Sequence, residues 1–457
     1  MNGNTKKNAL VVGMARSGIS SAKLLYKNGW NVIINDIKRD IPGLLEQLSG
    51  IEYTDALGID PKELIFGIDL LVLSPVIPIF APFAKEAAER GVEVIGEIEL
   101  GYRYSKGKFI CVSGTNGKTT ATALTGEMFR KGDFNTFVLG NIGIPIAEKA
   151  METKPGDVIV AEVAALQLES IKKFHAHAAA MLNITEDHLN RFEESMDKYI
   201  AAKCRLFENQ TCDDFAVLNY DDPTVRKMSE LTSAKVLYFS RKEQPEEGVF
   251  IRDDTIIWRY EGKELDVLKT NEIQIPGLHN LENALACTAL ALSSKVPLGA
   301  VQKALKEFPG VEHRIEFVCE HEGVQYINDS KGTNPDSTIK AVEAMKRPTI
   351  LLLGVGEYDK HSDFLPLFNA FGGKVKAVLA SGVNVPAIKE SADKAGFTNL
   401  FECREGLREM VGLAKCLAEP GDTVLLSPAA ASWGIYSDFE ERGRHFKQIV
   451  HEICRTE

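Results

Sequence analysis

The stretch KFICVSGTNGKTTATALTGEMF, residues 108–129, decides the fold. An apolar strand, Phe109 to Ser113, runs into Gly114-Thr115-Asn116-Gly117-Lys118-Thr119-Thr120, and a helical pattern follows at once. This is the layout of a phosphate-binding loop. Its glycines let backbone N–H groups converge on phosphate oxygens, and the helix N-terminus adds positive potential. Lys118 can reach the β- and γ-phosphates, and Thr119 can ligate Mg²⁺. Val112 stands where the full G-x-x-x-x-G-K-T has its first glycine. A purely structural Gly-rich turn is the bland alternative, and the Lys-Thr pair between strand and helix speaks against it.

Outward from this loop, short apolar runs alternate with amphipathic stretches along the chain, as in NALVVGM, SGISSAKLLYKNG and NVIINDI. That is the β-α-β rhythm of parallel sheets covered by helices, so the class is α/β. At the N-terminus a strand ends at Gly13, a helix opens near Gly18, and the next strand ends in Asp36. The opening is Rossmann-like, but Gly13-x-x-x-x-Gly18 lacks a middle glycine, which argues against a dinucleotide. The charged helical stretch GEIELGYRYSKG marks a first boundary near 97, and Pro309-Gly310 a second. Residues 236–275 read as short strands with turns at EEGVF, RDDT and YEGKE. Strands are expected again near Val324 to Asn328, Thr349 to Leu353, Val375 to Ala380 and Thr423 to Leu426. Three domains follow: a Rossmann-like 1–97, a central P-loop ATPase-type 98–310 with a mostly parallel sheet, and a Rossmann-like 311–457.

With 457 residues and 44% hydrophobic composition the chain is too long for one core. Its 53 basic and 64 acidic residues give a formal charge of −11, which excludes a general nucleic-acid or membrane-surface binder. No apolar run approaches the roughly 20 residues of a bilayer span, and the start MNGNTKKN is polar. A cytoplasmic monomer is expected. Its eight cysteines contain no C-x-x-C pair and read as reduced thiols, not as disulfides or a zinc site.

GTNGKTT, NITEDH, GLHNLEN, EHRIE and NDSKGTN, in this order, resemble the ATP-dependent Mur ligase superfamily. Folylpolyglutamate synthetases share part of the set. VLGNIGIP, the tail LLSPAAASWGIYSDFEERG and Ser74-Pro75-Val76-Ile77-Pro78 are similar to the branch that adds D-glutamate to UDP-N-acetylmuramoyl-L-alanine. The resemblance covers the chain from about Leu10 to Phe446.

It implies an acyl-phosphate mechanism, with ATP activating a carboxylate that the D-glutamate amine then attacks, so that positioning and charge neutralisation carry catalysis. Lys118, Glu162, His188 and Lys203 are the implied catalytic set. Thr119, Glu162 and His188 would ligate Mg²⁺, with Mn²⁺ an option, and Lys203, carrying CO₂ as a carbamate, would serve a second ion. A nucleotide would contact Gly114 to Thr120, Asn283, Arg314 and Asp329. Arg16, Ser17, Asp36, Ser74, Val76 and Asn141 would hold the UDP-substrate. Lys331, Thr333, Lys360, Ser432, Trp433 and Phe439 would hold D-glutamate, whose two carboxylates call for cations and hydroxyl or amide donors. Taken alone, Glu162 reads as a capping or solvent carboxylate, His188 as a loop histidine, and Lys203, Lys331 and Lys360 as solvated charges.

Three departures stand at ligand-facing motifs. Val76 replaces the family's usual glycine, and valine is costly there if the position needs positive φ. Ala164 and Ala165 replace two serines after Glu162. Ala430 and Gly434 replace a cysteine and an aspartate in the tail. They leave open a weakened binder of nucleotide and UDP-sugar on the same fold, or another amide ligase of the superfamily, either folylpolyglutamate synthetase-like or a sister Mur ligase.

Overall fold

The computed structural model describes residues 6–141, 143–186, 189–357 and 362–455. His188 and Lys360 lie outside these residues. The chain divides into two compact units, 1–273 with 282–307, and 274–281 with 308–457.

The first unit holds two sheets. Strands β1 (Asn8–Val12), β2 (Asn31–Asn35), β3 (Thr54–Asp55), β4 (Leu70–Leu73) and β5 (Glu93–Gly96) form a parallel sheet in the order β3-β2-β1-β4-β5. Runs such as Leu70–Leu73 are buried throughout, as befits strands covered on both faces. The order reverses between β1 and β4, so the crevice beyond their C-terminal ends lies between the turn Met14–Ser17 and the loop that starts at Ser74. Gly13 is required at this turn: its φ is +94°, and a Cβ would lie 2.6 Å from the Ser74 Cβ.

The second sheet has nine strands. They are β6 (Lys108–Ser113), β7 (Thr136–Gly140), β8 (Val158–Glu162), β9 (Ala178–Met181), β10 (Phe215–Asn219), β11 (Lys235–Ser240), β12 (Gly248–Arg252), β13 (Thr255–Tyr260) and β14 (Lys263–Lys269). Their order is β14-β13-β12-β11-β10-β9-β6-β8-β7. From β12 to β7 neighbours run parallel, whereas β12, β13 and β14 form an antiparallel meander. The two-residue turns Asp253-Asp254 and Glu261-Gly262 all have positive φ, the geometry that suits a tight hairpin. At the edge, Lys263 to Asp266 are exposed, and Glu264 pairs with Arg252 and Arg259 at 2.6 Å each.

The helix Glu97–Tyr104 follows β5, as the charged stretch suggested, yet two of its acids are buried. Glu97 is 1% and Glu99 0% exposed. The sequence marked this stretch only as a boundary; the partners of the two acids are backbone amides about 50 and 75 residues along the chain.

In the second unit β15 (Glu316–His321), β16 (Val324–Asn328), β17 (Thr349–Gly354), β18 (Val375–Ser381), β19 (Leu400–Glu402) and β20 (Thr423–Leu426) follow the order β15-β16-β20-β17-β18-β19. All pairs are parallel except the edge strand β15. The helix Pro335–Ala344 is started by Asn334, whose side chain accepts from the Ser337 N–H at 2.8 Å, and by proline at its first position.

Candidate active site

The C-terminal ends of β6, β7, β8 and β9 are adjacent, so the loops that leave them converge. Gly114 (φ +149°) and Gly117 (φ +84°) shape the first of these loops, and Gly117 caps the helix Lys118–Lys131. A side chain at Gly117 would meet the Asn283 Oδ1 at 2.4 Å, which places Asn283 directly against the loop. The Lys118 ammonium donates to the carbonyls of Gly114 (2.9 Å) and Thr115 (2.8 Å), keeping the cation on the loop.

Glu162, the last residue of β8 and 3% exposed, joins two candidate functions. Its Oε2 accepts from the Thr119 hydroxyl at 2.8 Å, and its Oε1 accepts from the Asn141 amide at 2.9 Å. The close packing of β7 on β8 requires Gly140, since a Cβ there would lie 2.3 Å from the Glu162 carbonyl. Lys203 is 1% exposed, not a surface lysine. Its Nζ donates to the Gly114 carbonyl at 2.8 Å and lies 4.9 Å from the Tyr199 ring centroid. Thus Gly114 to Thr120, Asn141, Glu162, Lys203 and Asn283 come together as one constellation. A hydroxyl and a carboxylate side by side are hard oxygen donors of the kind Mg²⁺ takes.

Two partners of this loop carried no assignment from sequence. The Tyr199 hydroxyl shares a 3.0 Å hydrogen bond with the Thr115 Oγ1, and the Asn183 Oδ1 accepts from the Asn116 N–H at 2.8 Å. Both were within reach: Tyr199 sits one helical turn before Lys203, and Asn183 opens NITEDH.

In the N-terminal sheet, Arg16 and Ser17 begin the helix Arg16–Lys27. The Asp36 carboxylate accepts from the Met14 and Lys38 N–H groups at 2.8 and 3.0 Å, bracing the turn beside them. Ser74 is buried and Val76 exposed. Val76 is absent from the residues with positive φ, so the strain considered for valine at this position does not arise. Ala164 caps the helix Ala165–Leu168 without a side-chain acceptor, and the Gln167 Oε1 accepts from the Ala164 N–H at 2.9 Å. The glutamine half of a capping box is therefore kept and the serine half is lost.

The second unit gathers its candidates at the ends of β16, β20 and β17. The Lys331 Nζ lies 5.3 Å from the Phe439 ring centroid, Ser432 is buried, and Trp433 is half exposed. The Thr333 N–H donates to the Lys331 carbonyl at 2.9 Å. Gly434 has φ +95°, and a Cβ would lie 2.4 Å from the Glu357 Cβ, so this backbone has no room for the family's aspartate. Arg442, missed by sequence reasoning, is 0% exposed and forks across three loops. It donates to the Ser330 Oγ (3.1 Å) and carbonyl (2.8 Å), to the Val355 carbonyl (3.2 Å) and to the Ala430 carbonyl (3.1 Å). Burial pulls its pKa down to about 10.

Asp329 accepts from the Ser427 hydroxyl at 2.6 Å and the Ile315 N–H at 3.2 Å. Burial pushes its carboxyl up to about 6 against the pull of Arg314. His279, also unassigned by sequence, is driven down to about 4 by burial, with Arg314 adding to the effect. Glu312, His313 and Glu316 gather as well, but the Lys447 ammonium already holds both carboxylates at 2.6 and 2.9 Å. Among the described residues no helix is long and apolar enough to cross a membrane.

Family models match along the chain: a Mur ligase MurD-like N-terminal domain over residues 7–96, a Mur ligase middle domain over 112–291, and a Mur ligase glutamate ligase domain over 313–430. The chain is 47% identical over 455 residues to the UDP-N-acetylmuramoylalanine–D-glutamate ligase of Alkaliphilus metalliredigens, covering 98% of this chain and 99% of that one. It is 42% identical over 453 residues to the ligase of the same name from Clostridioides difficile, with the same coverage. Among solved structures it is similar to the UDP-N-acetylmuramate-alanine ligase of Thermotoga maritima, with TM-score 0.61 and 19% identity over 98% of this chain and 99% of that one. A pseudomurein peptide ligase type C from Methanothermus fervidus gives TM-score 0.58 at 19% identity, covering 98% of this chain and all of that one. At such identities the likeness speaks for the fold.

Proposed function

The chain belongs to the Mur ligase family, and from that premise we propose that it joins the amine of D-glutamate to the alanyl carboxylate of UDP-N-acetylmuramoyl-L-alanine, consuming ATP in peptidoglycan precursor synthesis. It does so as a cytoplasmic monomer acting on small molecules, with residues 1–97 for the UDP-substrate, 98–310 for ATP and 311–457 for D-glutamate. The observation that carries the reading is Glu162, held between Thr119 of the phosphate loop and Asn141, the candidate muramoyl contact. One carboxylate thereby registers nucleotide and acceptor substrate against each other.

The substrate carboxylate attacks the γ-phosphorus of ATP, ADP leaves, and an acyl phosphate forms. The D-glutamate nitrogen then attacks the acyl carbon, the nitrogen loses a proton, and inorganic phosphate departs. Lys118 and the helix N-terminus neutralise the phosphate charge that develops. Asn283, Arg314 and Asp329 position the nucleotide. Thr119 and Glu162, with His188, would hold Mg²⁺, which would supply charge neutralisation at the phosphates. Lys203, if carbamylated, would serve a second ion; its depth and its place on the Gly114 carbonyl suit a group that acts in the site. Arg16, Ser17, Asp36, Ser74 and Val76 receive the UDP moiety. Lys331, Lys360, Thr333 and Ser432, beside Trp433 and Phe439, bind D-glutamate.

Phosphate release from ATP tests this. It is expected only with both UDP-N-acetylmuramoyl-L-alanine and D-glutamate present, and it is expected to vanish in Lys118→Ala and Glu162→Ala. Release that needs neither substrate, or survives those changes, overturns the assignment.

A further inference from the structure

Helix Glu97–Tyr104 grows out of the last strand of the N-terminal sheet, but its buried acids serve the next sheet. Glu99 takes the Lys172, Lys173 and Phe174 N–H groups at 2.8, 3.0 and 2.9 Å, and the Arg103 Nε at 2.7 Å. Its lone pairs are spent on anchoring the chain beyond Gln167. Glu97 is engaged differently. Its Oε1 accepts from the Ala147 N–H at 2.7 Å, while its Oε2 is buried without a protein partner. That oxygen belongs to a residue lining a small cavity together with Ser74, Pro75, Ile77, Gln167 and Ser170. Nearby, Gly101 lets the helix approach so closely that a Cβ would lie 2.8 Å from the Ala147 N.

Ala147 is in the short helix Ile146–Lys149, which ends the connection from β7. The start of the same connection is Asn141, whose N–H donates to the Glu162 carbonyl (2.9 Å) and whose amide donates to the Glu162 Oε1. Gly140 closes it with an N–H to the Ile144 carbonyl at 3.0 Å. The connection is thus pinned by a carboxylate at each end: Glu162 from β8, and Glu97 from the helix that also borders the Ser74 loop.

We infer that Glu97 is a positioning residue for the UDP-sugar substrate: through the Ala147 amide it sets where Asn141 stands relative to the Ser74 loop. It touches no reacting atom. The inference rests on the reading of Asn141 as a substrate contact, and it assigns a role to a side chain whose stretch of sequence served only to mark a domain boundary. A carboxyl oxygen here gives one backbone amide its acceptor, and the neighbouring helix packs too closely for the connection to settle elsewhere.

Steady-state phosphate release with each substrate varied in turn separates the possibilities. Glu97→Ala is expected to raise KM for UDP-N-acetylmuramoyl-L-alanine about tenfold, the equivalent of one lost buried hydrogen bond. KM for ATP and for D-glutamate is expected to stay within about twofold. Glu97→Gln, which keeps a carbonyl acceptor, is expected to restore the wild-type value. Glu97→Asp, one methylene short, raises the same KM and serves if the alanine variant does not fold. Asn141→Ala is the control for the underlying reading. If Asn141→Ala raises that KM and neither Glu97→Ala nor Glu97→Asp does, the inference is wrong while the site stands. If Asn141→Ala leaves it unchanged, the reading of the site fails first. A parallel rise in all three KM values with a fall in kcat overturns the positioning role in favour of general support of the fold.

Discussion

Arg442→Lys isolates what the buried guanidinium contributes. The substitution keeps the positive charge, so the burial of charge is not relieved, but it replaces a planar fork by a point donor. In the native protein four contacts lie between 2.8 and 3.2 Å, reaching the Ser330 Oγ and carbonyl and the Val355 and Ala430 carbonyls. An ammonium at the end of a lysine reaches one or two of them. At about 1 kcal/mol net per bond, with the remaining carbonyls left buried and unpaired, the expected loss is about 2 to 3 kcal/mol. Urea unfolding of the full chain, with midpoint and slope fitted together, measures it. Because Ser330 precedes Lys331 and Ala430 lies two residues before Ser432, KM for D-glutamate is expected to rise with the loss of stability. A destabilisation under about 0.5 kcal/mol together with an unchanged KM would refute the account of Arg442 as the clamp on these loops.

Burial raises the folded-state pKa of Glu97 from 4.5 to about 7, so stability present below about pH 4.5 is lost as pH climbs through 7. The loss is about 3 kcal/mol by linkage, and urea midpoints from pH 4.5 to 8 are expected to show this slope in wild type and a flatter one in Glu97→Gln. Ala164→Ser returns an oxygen to the capping position ahead of the helix Ala165–Leu168 and is expected to stabilise by about 0.5 to 1 kcal/mol in the same assay. Val76→Gly relieves no strain, since Val76 lacks positive φ. Calorimetry is expected to show UDP-substrate affinity unchanged or weakened by up to about 1 kcal/mol through added loop freedom.

What the sequence made legible was local. Strand, glycine loop and Lys-Thr pair lie within 22 consecutive residues, and uninterrupted apolar runs such as Leu70 to Leu73 and Thr349 to Leu353 announced parallel strands. Glu162 could be placed at a strand end because its strand is continuous with it. The illegible part lies in long-range pairings. Nothing near Glu97 or Glu99 tells that the amides of Ala147 and Phe174 are waiting for them, so a charged helix was the natural reading. Arg442 lies among EERG, where an arginine looks like surface, and only the meeting of three loops buries it. Gly434 and Val76 teach the converse: a departure from a family pattern has a meaning only once its φ and its neighbours are known.

The exposed edge strand β14 has a consequence for life at high protein concentration. Unpaired N–H and C=O groups along a sheet border invite a strand from another molecule. Along this border Lys263, Glu264 and Asp266 are exposed on a seven-residue strand, and the Arg252–Glu264–Arg259 triplet adds charge across the meander. An incoming strand would have to strip water from every one of these charges before gaining a single ladder hydrogen bond. The meander therefore closes a nine-stranded sheet with a border that resists growth by strand addition, and replacing its charges with threonine and valine is the change that would turn a finished sheet into a seed for aggregation.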